Sequence, residues 1–385
     1  MDPQPPARVA EDSASAGSDH VTLFLCGDVM TGRGVDQILP HPGGSHIDEP
    51  YVRDAREYVA LAESRNGPIV TPVTPAYIWG DALSELSRLR PDVRIINLET
   101  SITTSDDQWP GKDIHYRMHP ENIACLTAAG VDVCGLANNH VMDYGRAGLV
   151  DTLDTLARSG LKAAGAGRTL AEAQAPALVT LGSGAGVAVF AFGAESSGVP
   201  AGWAARENRS GIDLPADLSE ATAAAILRRV GRVKVPRRVV VCSIHWGSNW
   251  GYDVPPEHVR FAHRLIDGGV DIVCGHSSHH PRPIEVYHNR LILYGCGDFI
   301  DDYEGIQGHE QYRDDLVLMY FATVAADTGD VIGVQLSPMR IKRLKLTRPV
   351  DADVVWLRDT LERVSAPYGA HVDLAANAQL TLRWA

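Results

Sequence analysis

The stretch VDIVCGHSSHHPRPIEVY, residues 270–287, decides how this chain is read. A short apolar run, Val270 to Cys274, leads through Gly275 into His276, His279 and His280. Continuous apolar runs of this kind suit a central strand covered on both faces. The same pattern recurs in VTLFLCG (21–27), VRIINLE (93–99), VDVCGLA (131–137) and RRVVVCSIHWG (237–247). Between these runs, GRAGLVDTLDTLARSG and PPEHVRFAHRLIDGG carry apolar residues at helical spacing and end on glycine, as helices often do. Strand and helix alternate, so the class is α/β.

The strands end in chemically capable residues: Asp28, then Asn97 and Glu99, then Asn138, Asn139 and His140, then His245 and His276. In open α/β sheets ligands bind beyond the carboxyl ends of the strands, so residues distant in sequence converge there. From about 283 to 342, the segments RPIEVY, RLILYGCGDF, LVLMYFATVA and VIGVQLSPMRIKRLKL read as successive strands and predict a second sheet. Residues 351–365 read as a helix and LTLRWA as a weak strand. The expected organisation is a disordered tail over 1–20, one domain over 21–350, and a C-terminal helix and strand extension over 351–385.

Composition bounds the partners. The 385 residues are 45% hydrophobic, enough for a substantial core, and carry a formal net charge of -13. With no concentrated basic face, a nucleic-acid partner is excluded. The first 20 residues lack a basic and an apolar region, so no signal peptide is expected. No segment approaches the roughly 18 apolar residues of a membrane span. A cytoplasmic location is therefore expected. Six cysteines without C-x-x-C spacing read as buried free thiols. No G-x-G-x-x-G follows a strand, which argues against a nucleotide cofactor.

The ordered motifs CGDVMTGRG, NLETSI, LANNHVMDYG, HWGSNWGY and GHSSHHPRPIEVY, followed by LILYGCGDF, resemble those of CapA-type proteins. That family is named for poly-γ-glutamate capsule synthesis and is related to the calcineurin-like metallophosphoesterases. The resemblance covers about residues 21–345 and implies a four-layer α-β-β-α sandwich of metallophosphoesterase type, with the site at one sheet edge. It implies that Asp28 takes the first aspartate position, Glu99 the bridging carboxylate, Asn139 the amide ligand and His140 the acid/base role. His245 and His279 would be the later ligands. Such mixed oxygen and imidazole donors suit one or two ions such as Mn, Zn or Fe. The chain departs from the pattern at Met30, where a histidine is expected, and at Ser277, beside which His276 is a substitute ligand. A shell depleted in this way leaves open one ion or none.

Around this set, Asp143 is expected to fix the His140 tautomer, His280 to orient its loop, and His115 and His119 to lie at the rim. Arg33 and Arg117 are candidates for holding a substrate carboxylate. Trp246 and Trp250, with Tyr252, are candidates for the cleft wall. The acidic run GDFIDDYEG, with Asp298, Asp301, Asp302 and Glu304, reads as a solvated loop.

Proton exchange among Asp28, Glu99, His140, His245 and His279 would suit general acid/base chemistry on a peptide. From the resemblance, the leading expectation is L-to-D epimerisation at a Cα of a ribosomal peptide precursor, with an accessory protein delivering the peptide. The alternatives are a metal-dependent hydrolase of a phosphoester or polyglutamyl amide, a poly-γ-glutamate biosynthesis protein, and a non-catalytic assembly protein.

Overall fold

The computed structural model describes residues 19–384. All but the last two residues of the tail expected over 1–20 lie outside the described residues. Two large sheets dominate. In the ten-stranded sheet, His20–Val29 lies centrally, parallel to Val93–Leu98 on one side and antiparallel to Leu316–Ala325 on the other. Val133–Gly135 and Lys162–Ala164 extend the parallel side. In the six-stranded sheet, Arg290–Leu293, Ile272–His276, Arg238–His245 and Gly186–Gly193 run parallel, with antiparallel edges at Ile284–Tyr287 and Ala177–Thr180.

The burial of Arg238–His245 shows why its sequence does not alternate between polar and apolar. Val239 and Val241 join the core shared with the first sheet. Val240, Cys242 and Ile244 point the other way, onto Ala223, Ile226 and Val230 of the helix Glu220–Val233 and Phe261 and Leu265 of the helix Pro256–Asp267. A strand wet on neither face needs apolar residues at every position. Ala82, Leu86, Leu149 and Leu156, from helices Ala82–Leu89 and Gly145–Arg158, enter the core of the first sheet. The layering is α-β-β-α, as expected.

Two expectations are corrected. The strands of 283–342 do not form a sheet of their own: Ile284–Tyr287 and Arg290–Leu293 complete the six-stranded sheet, while Leu316–Ala325 and Val331–Ile341 join the first. Periodicity identifies strands but not their partners. The helix and strand expected beyond 350 are continuous with the domain before them, because Leu380–Trp384 pairs with Val331–Ile341 and Ala370–Leu374 pairs with it in turn. The acidic run is not solvated: Asp298, Asp301, Asp302 and Glu304 are all buried.

The burial of that run follows from close backbone packing. Asp298–Ile300 lies alongside the end of the first strand, with Asp28 opposite Asp298. A Cβ on Gly27 would stand 1.9 Å from the Gly297 carbonyl oxygen, so only glycine permits this approach. All six cysteines are buried and free. Among the described residues no helix is long and apolar enough to cross a membrane.

Candidate metal and acid/base centre

The carboxyl ends of strands from both sheets meet at Asp28. Its Oδ1 accepts hydrogen bonds from Asn97 Nδ2 at 2.8 Å and His276 Nδ1 at 2.9 Å, and its Oδ2 accepts one from the Ser277 amide at 3.1 Å. Burial alone would raise the Asp28 pKa, but the bond and charge of His276, with His245 and Asn97, hold it below the usual carboxylate range. Burial likewise opposes the His276 imidazolium, yet Cys274 and Asp28 raise its pKa to about 10.

Glu99 stands beside this pair. It is buried, and its Oε2 has no hydrogen-bond partner. Its Oε1 lies 3.8 Å from His245 Nε2 and 3.9 Å from His140 Nε2. Burial first, then the charge of Asp28, pushes its pKa well up. One donor atom each from Asp28, Glu99 and His245 lies within 4.8 Å of the others. His245 Nε2 also meets Asn139 Oδ1 at 3.0 Å. Burial drops the His245 pKa to about 3, which keeps the imidazole neutral, the form that ligates a metal.

Two carboxylates, a neutral imidazole and an amide oxygen suit a hard or borderline divalent ion, and the bare Glu99 oxygen is a donor with nothing else to satisfy it. The residues present therefore fit one such ion. The thioether of Met30 is buried and takes the Tyr303 hydroxyl at 3.4 Å.

Two imidazoles, His140 and His279, each backed by a buried carboxylate, line the same cavity, whose volume is about 270 Å³. His140 Nδ1 lies 2.7 Å from Asp143 Oδ2, and Lys112 Nζ lies 2.9 Å from that nitrogen and 2.7 Å from Asp143 Oδ1. Burial, outweighing Asp143, lowers the His140 pKa to about 4. His279 Nδ1 lies 3.0 Å from Asp298 Oδ1, and its Nε2 lies 3.0 Å from Asn249 Nδ2. Burial opposes its charge, but Asp298 wins and the His279 pKa rises. Burial raises the Asp298 pKa to about 6 against that same attraction. The two imidazoles are thus shifted in opposite directions, His140 toward the neutral form and His279 toward the cation.

Asp28, Glu99, Asn139, His140, His245 and His279 come together, and other expectations are revised. His276 is not placed as a ligand, because Nδ1 is spent on Asp28 and Nε2 faces Cys274 Sγ at 3.5 Å. Arg33 is not a substrate contact: it is buried, bonded to Asp302 and Glu49, with its guanidinium 3.8 Å from the Tyr58 ring. Trp246 is also a packing residue, stacked on His258 at 4.4 Å on the helical side of the second sheet, its Nε1 donating to the Tyr294 carbonyl. Arg117 is held by the Ser105 carbonyl and Asp106 and does not line the cavity.

Trp250 does stand at the rim, 5.2 Å from the His279 ring. His280 is buried between Tyr252 and Tyr312, with Nδ1 against the Pro281 carbonyl. His115 packs on Tyr144, and His119 caps the short helix Pro120–Ile123. Three participants escape the sequence reading, Lys112, Asn249 and Tyr303, and Asp298 reads there only as part of a solvated loop. Asp298 stood in a quoted motif, GCGDF, whereas Lys112 lies in a loop with no periodic signal.

Residues 22–303 match the family model described as bacterial capsule synthesis protein PGA_cap. A probable polyglutamine synthesis accessory protein of Mycobacterium tuberculosis (strain H37Rv) is 50% identical over 359 residues, covering 92% of this chain and 93% of that protein. The PGA biosynthesis protein CapA of Bacillus subtilis is 30% identical over 305 residues, 78% of this chain and 68% of that protein. Among solved structures, a 5'-nucleotidase precursor from Thermus thermophilus superposes with a TM-score of 0.43 at 13% identity, covering 90% of this chain and 59% of that one. The family match spans the first strand, the strand ends that carry the centre, and Asp298; this chain belongs to the PGA_cap capsule synthesis family, the CapA-like proteins.

Proposed function

We propose that this chain serves polyglutamyl polymer synthesis as a metal-assisted hydrolase, cutting an amide bond of a polyglutamyl chain. The observation that carries the reading is the bare, buried Glu99 oxygen beside Asp28 and His245. The relatives named for polyglutamine and PGA synthesis support a polyglutamyl polymer as substrate and other proteins of its synthesis as partners.

Asp28, Glu99, Asn139 and His245 would hold the ion. Bound there, a divalent ion supplies Lewis-acid polarisation and a more acidic water. His140, neutral and with its Nδ1 side held by Asp143, accepts a proton at Nε2 on the side of Glu99. Lys112 anchors Asp143 and draws the anionic polymer toward the cavity. His279 and the Lys112 ammonium also offset negative charge developing on a carbonyl oxygen.

One observation favours a second reading, Cα epimerisation. His140, backed by Asp143, and His279, backed by Asp298, share the cavity with opposite pKa shifts, the arrangement of a paired base and acid. A single experiment separates the two readings: γ-glutamyl oligomers incubated in heavy water with manganese-loaded and chelated chain, read by mass spectrometry. Shorter oligomers that require metal and His140 support hydrolysis. Deuterium at Cα without cleavage, unaffected by chelator, would replace hydrolysis with epimerisation.

A further inference from the structure

A second cavity, about 410 Å³ in volume, opens beyond Tyr303. On its wall Asp301 is 2% exposed, and its Oδ1 accepts the Tyr303 amide at 2.9 Å while its Oδ2 has no partner. A buried polar atom without a partner costs free energy unless a ligand or water meets it. Asp314 and Glu310 line the same space. Of the three arginines that also line it, Arg313 and Arg340 are spent on Asp315 and Asp353, and Arg65 acts on Glu310, so none is paired with Asp301. Six carboxyl groups thus line the cavity with three arginines, and burial, with the charge of Asp298, pushes the Asp301 pKa well up, so that its carboxylate calls for a cation.

It is joined to the centre described above. A hollow of about 150 Å³, walled by Trp250 stacked on His309 at 3.8 Å, shares His279 and Tyr303 with that centre. The same hollow shares Tyr303, Glu310 and Asp314 with the acidic cavity.

The geometry points to a subsite for a primary ammonium group, such as the free amino end of a peptide or polyglutamyl chain, seated on Asp301 with Asp314 and Glu310 around it. The volume lies in the range of organic ligands. An ammonium presents three donors to such oxygens, whereas calcium takes six to eight oxygen ligands and the cavity has a single bare, buried one. That this subsite positions a substrate rests on the hydrolytic reading above, but its binding of an ammonium does not.

The test is calorimetric titration of the full chain with alaninamide, which has one ammonium, and with N-acetylalaninamide, which has none. The expected result is binding of alaninamide at least tenfold tighter than its acetylated form. Asp301→Asn should weaken alaninamide at least tenfold without lowering the melting temperature, since its amide oxygen can keep the bond from the Tyr303 amide and burial already disfavours the Asp301 charge. Asp314→Asn, at a half-buried position, should weaken it less. Equal affinity for the two compounds, no binding of alaninamide, an unaffected Asp301→Asn variant, or calcium taken up in its place would overturn the subsite. Manganese uptake and oligomer cleavage are scored separately, so failure of the hydrolytic reading leaves this result standing.

Discussion

Replacing Glu99 by glutamine separates the cost of the centre from its use. Asp28 and Glu99 present oxygens within 4.8 Å of one another in a buried setting. At that separation and an effective dielectric of about 20, two full charges repel by about 3.5 kcal/mol. Proton uptake relieves part of this, because burial and Asp28 hold the Glu99 pKa high. The expected gain from Glu99→Gln in chelator is thus about 1–3 kcal/mol, an upward shift of a few degrees in thermal unfolding. Manganese should reverse the order. At one hundred times its dissociation constant, an ion bound only by the folded state adds about 2.7 kcal/mol. The parent should collect that gain and the variant little of it. The assay is a pair of melting curves for each protein, with chelator and with manganese. A variant less stable than the parent in chelator would mean that the Glu99 carboxylate has a structural partner. Full manganese stabilisation of the variant would mean that the ion binds elsewhere.

His140→Gln should cut oligomer cleavage by about 10²–10⁴-fold, the usual worth of a positioned acid or base, with metal content by mass spectrometry unchanged; parental turnover would remove His140 from the chemistry. Arg33→Met strands Asp302 and Glu49 in the interior and should cost about 3–5 kcal/mol in denaturant unfolding. A stable Arg33→Met protein that no longer binds γ-glutamyl oligomers would instead restore Arg33 as a substrate contact. His258, beneath Trp246, has its pKa lowered by burial to about 4. A depressed folded-state value means that its contribution is present above the unfolded value near 6.5 and is lost as pH falls toward 4. His258→Phe should therefore flatten the acid side of the stability profile by about 2–3 kcal/mol, and an unchanged acid limb would count against that assignment.

The sequence was legible where one local pattern had one structural meaning. Uniform apolar runs such as Arg238–His245 announced strands covered on both faces, and the polar residue closing each run announced a convergence point. What escaped was fixed by contacts distant in sequence. GDFIDDYEG looks solvated because four acids in nine residues usually are, but Gly27 and Gly297 let its backbone press against the first strand and bury the charges. Once buried, Asp302 needs Arg33, 269 residues away, and Asp298 needs His279. The misreading of Arg33 and the misreading of the acidic run are therefore one error. Trp246 was misassigned for a simpler reason: it follows His245, and successive residues of a strand point to opposite faces.

That alternation also explains why stability and chemistry meet at this centre. Asp28 and Asn97 end strands of one sheet; His245 and His276 end strands of the other. The bond from His276 to Asp28 and the 3.4 Å approach of Asn97 Nδ2 to His245 Nδ1 run across the gap between the sheets, while Asn97 also bonds Asp28 within the first sheet. His276 is thus a bridge holding the Asp28 carboxylate in place, which is why its imidazolium is stabilised while that of His245, one strand away, is suppressed. Such a bridge fixes how far apart the two halves of a ligand set can stand. A change at His276 should consequently loosen the sheet-to-sheet register and the grip on an ion together, whereas a change at the Glu99 side chain, whose Oε2 bonds to neither sheet, should weaken the grip on an ion without loosening the register.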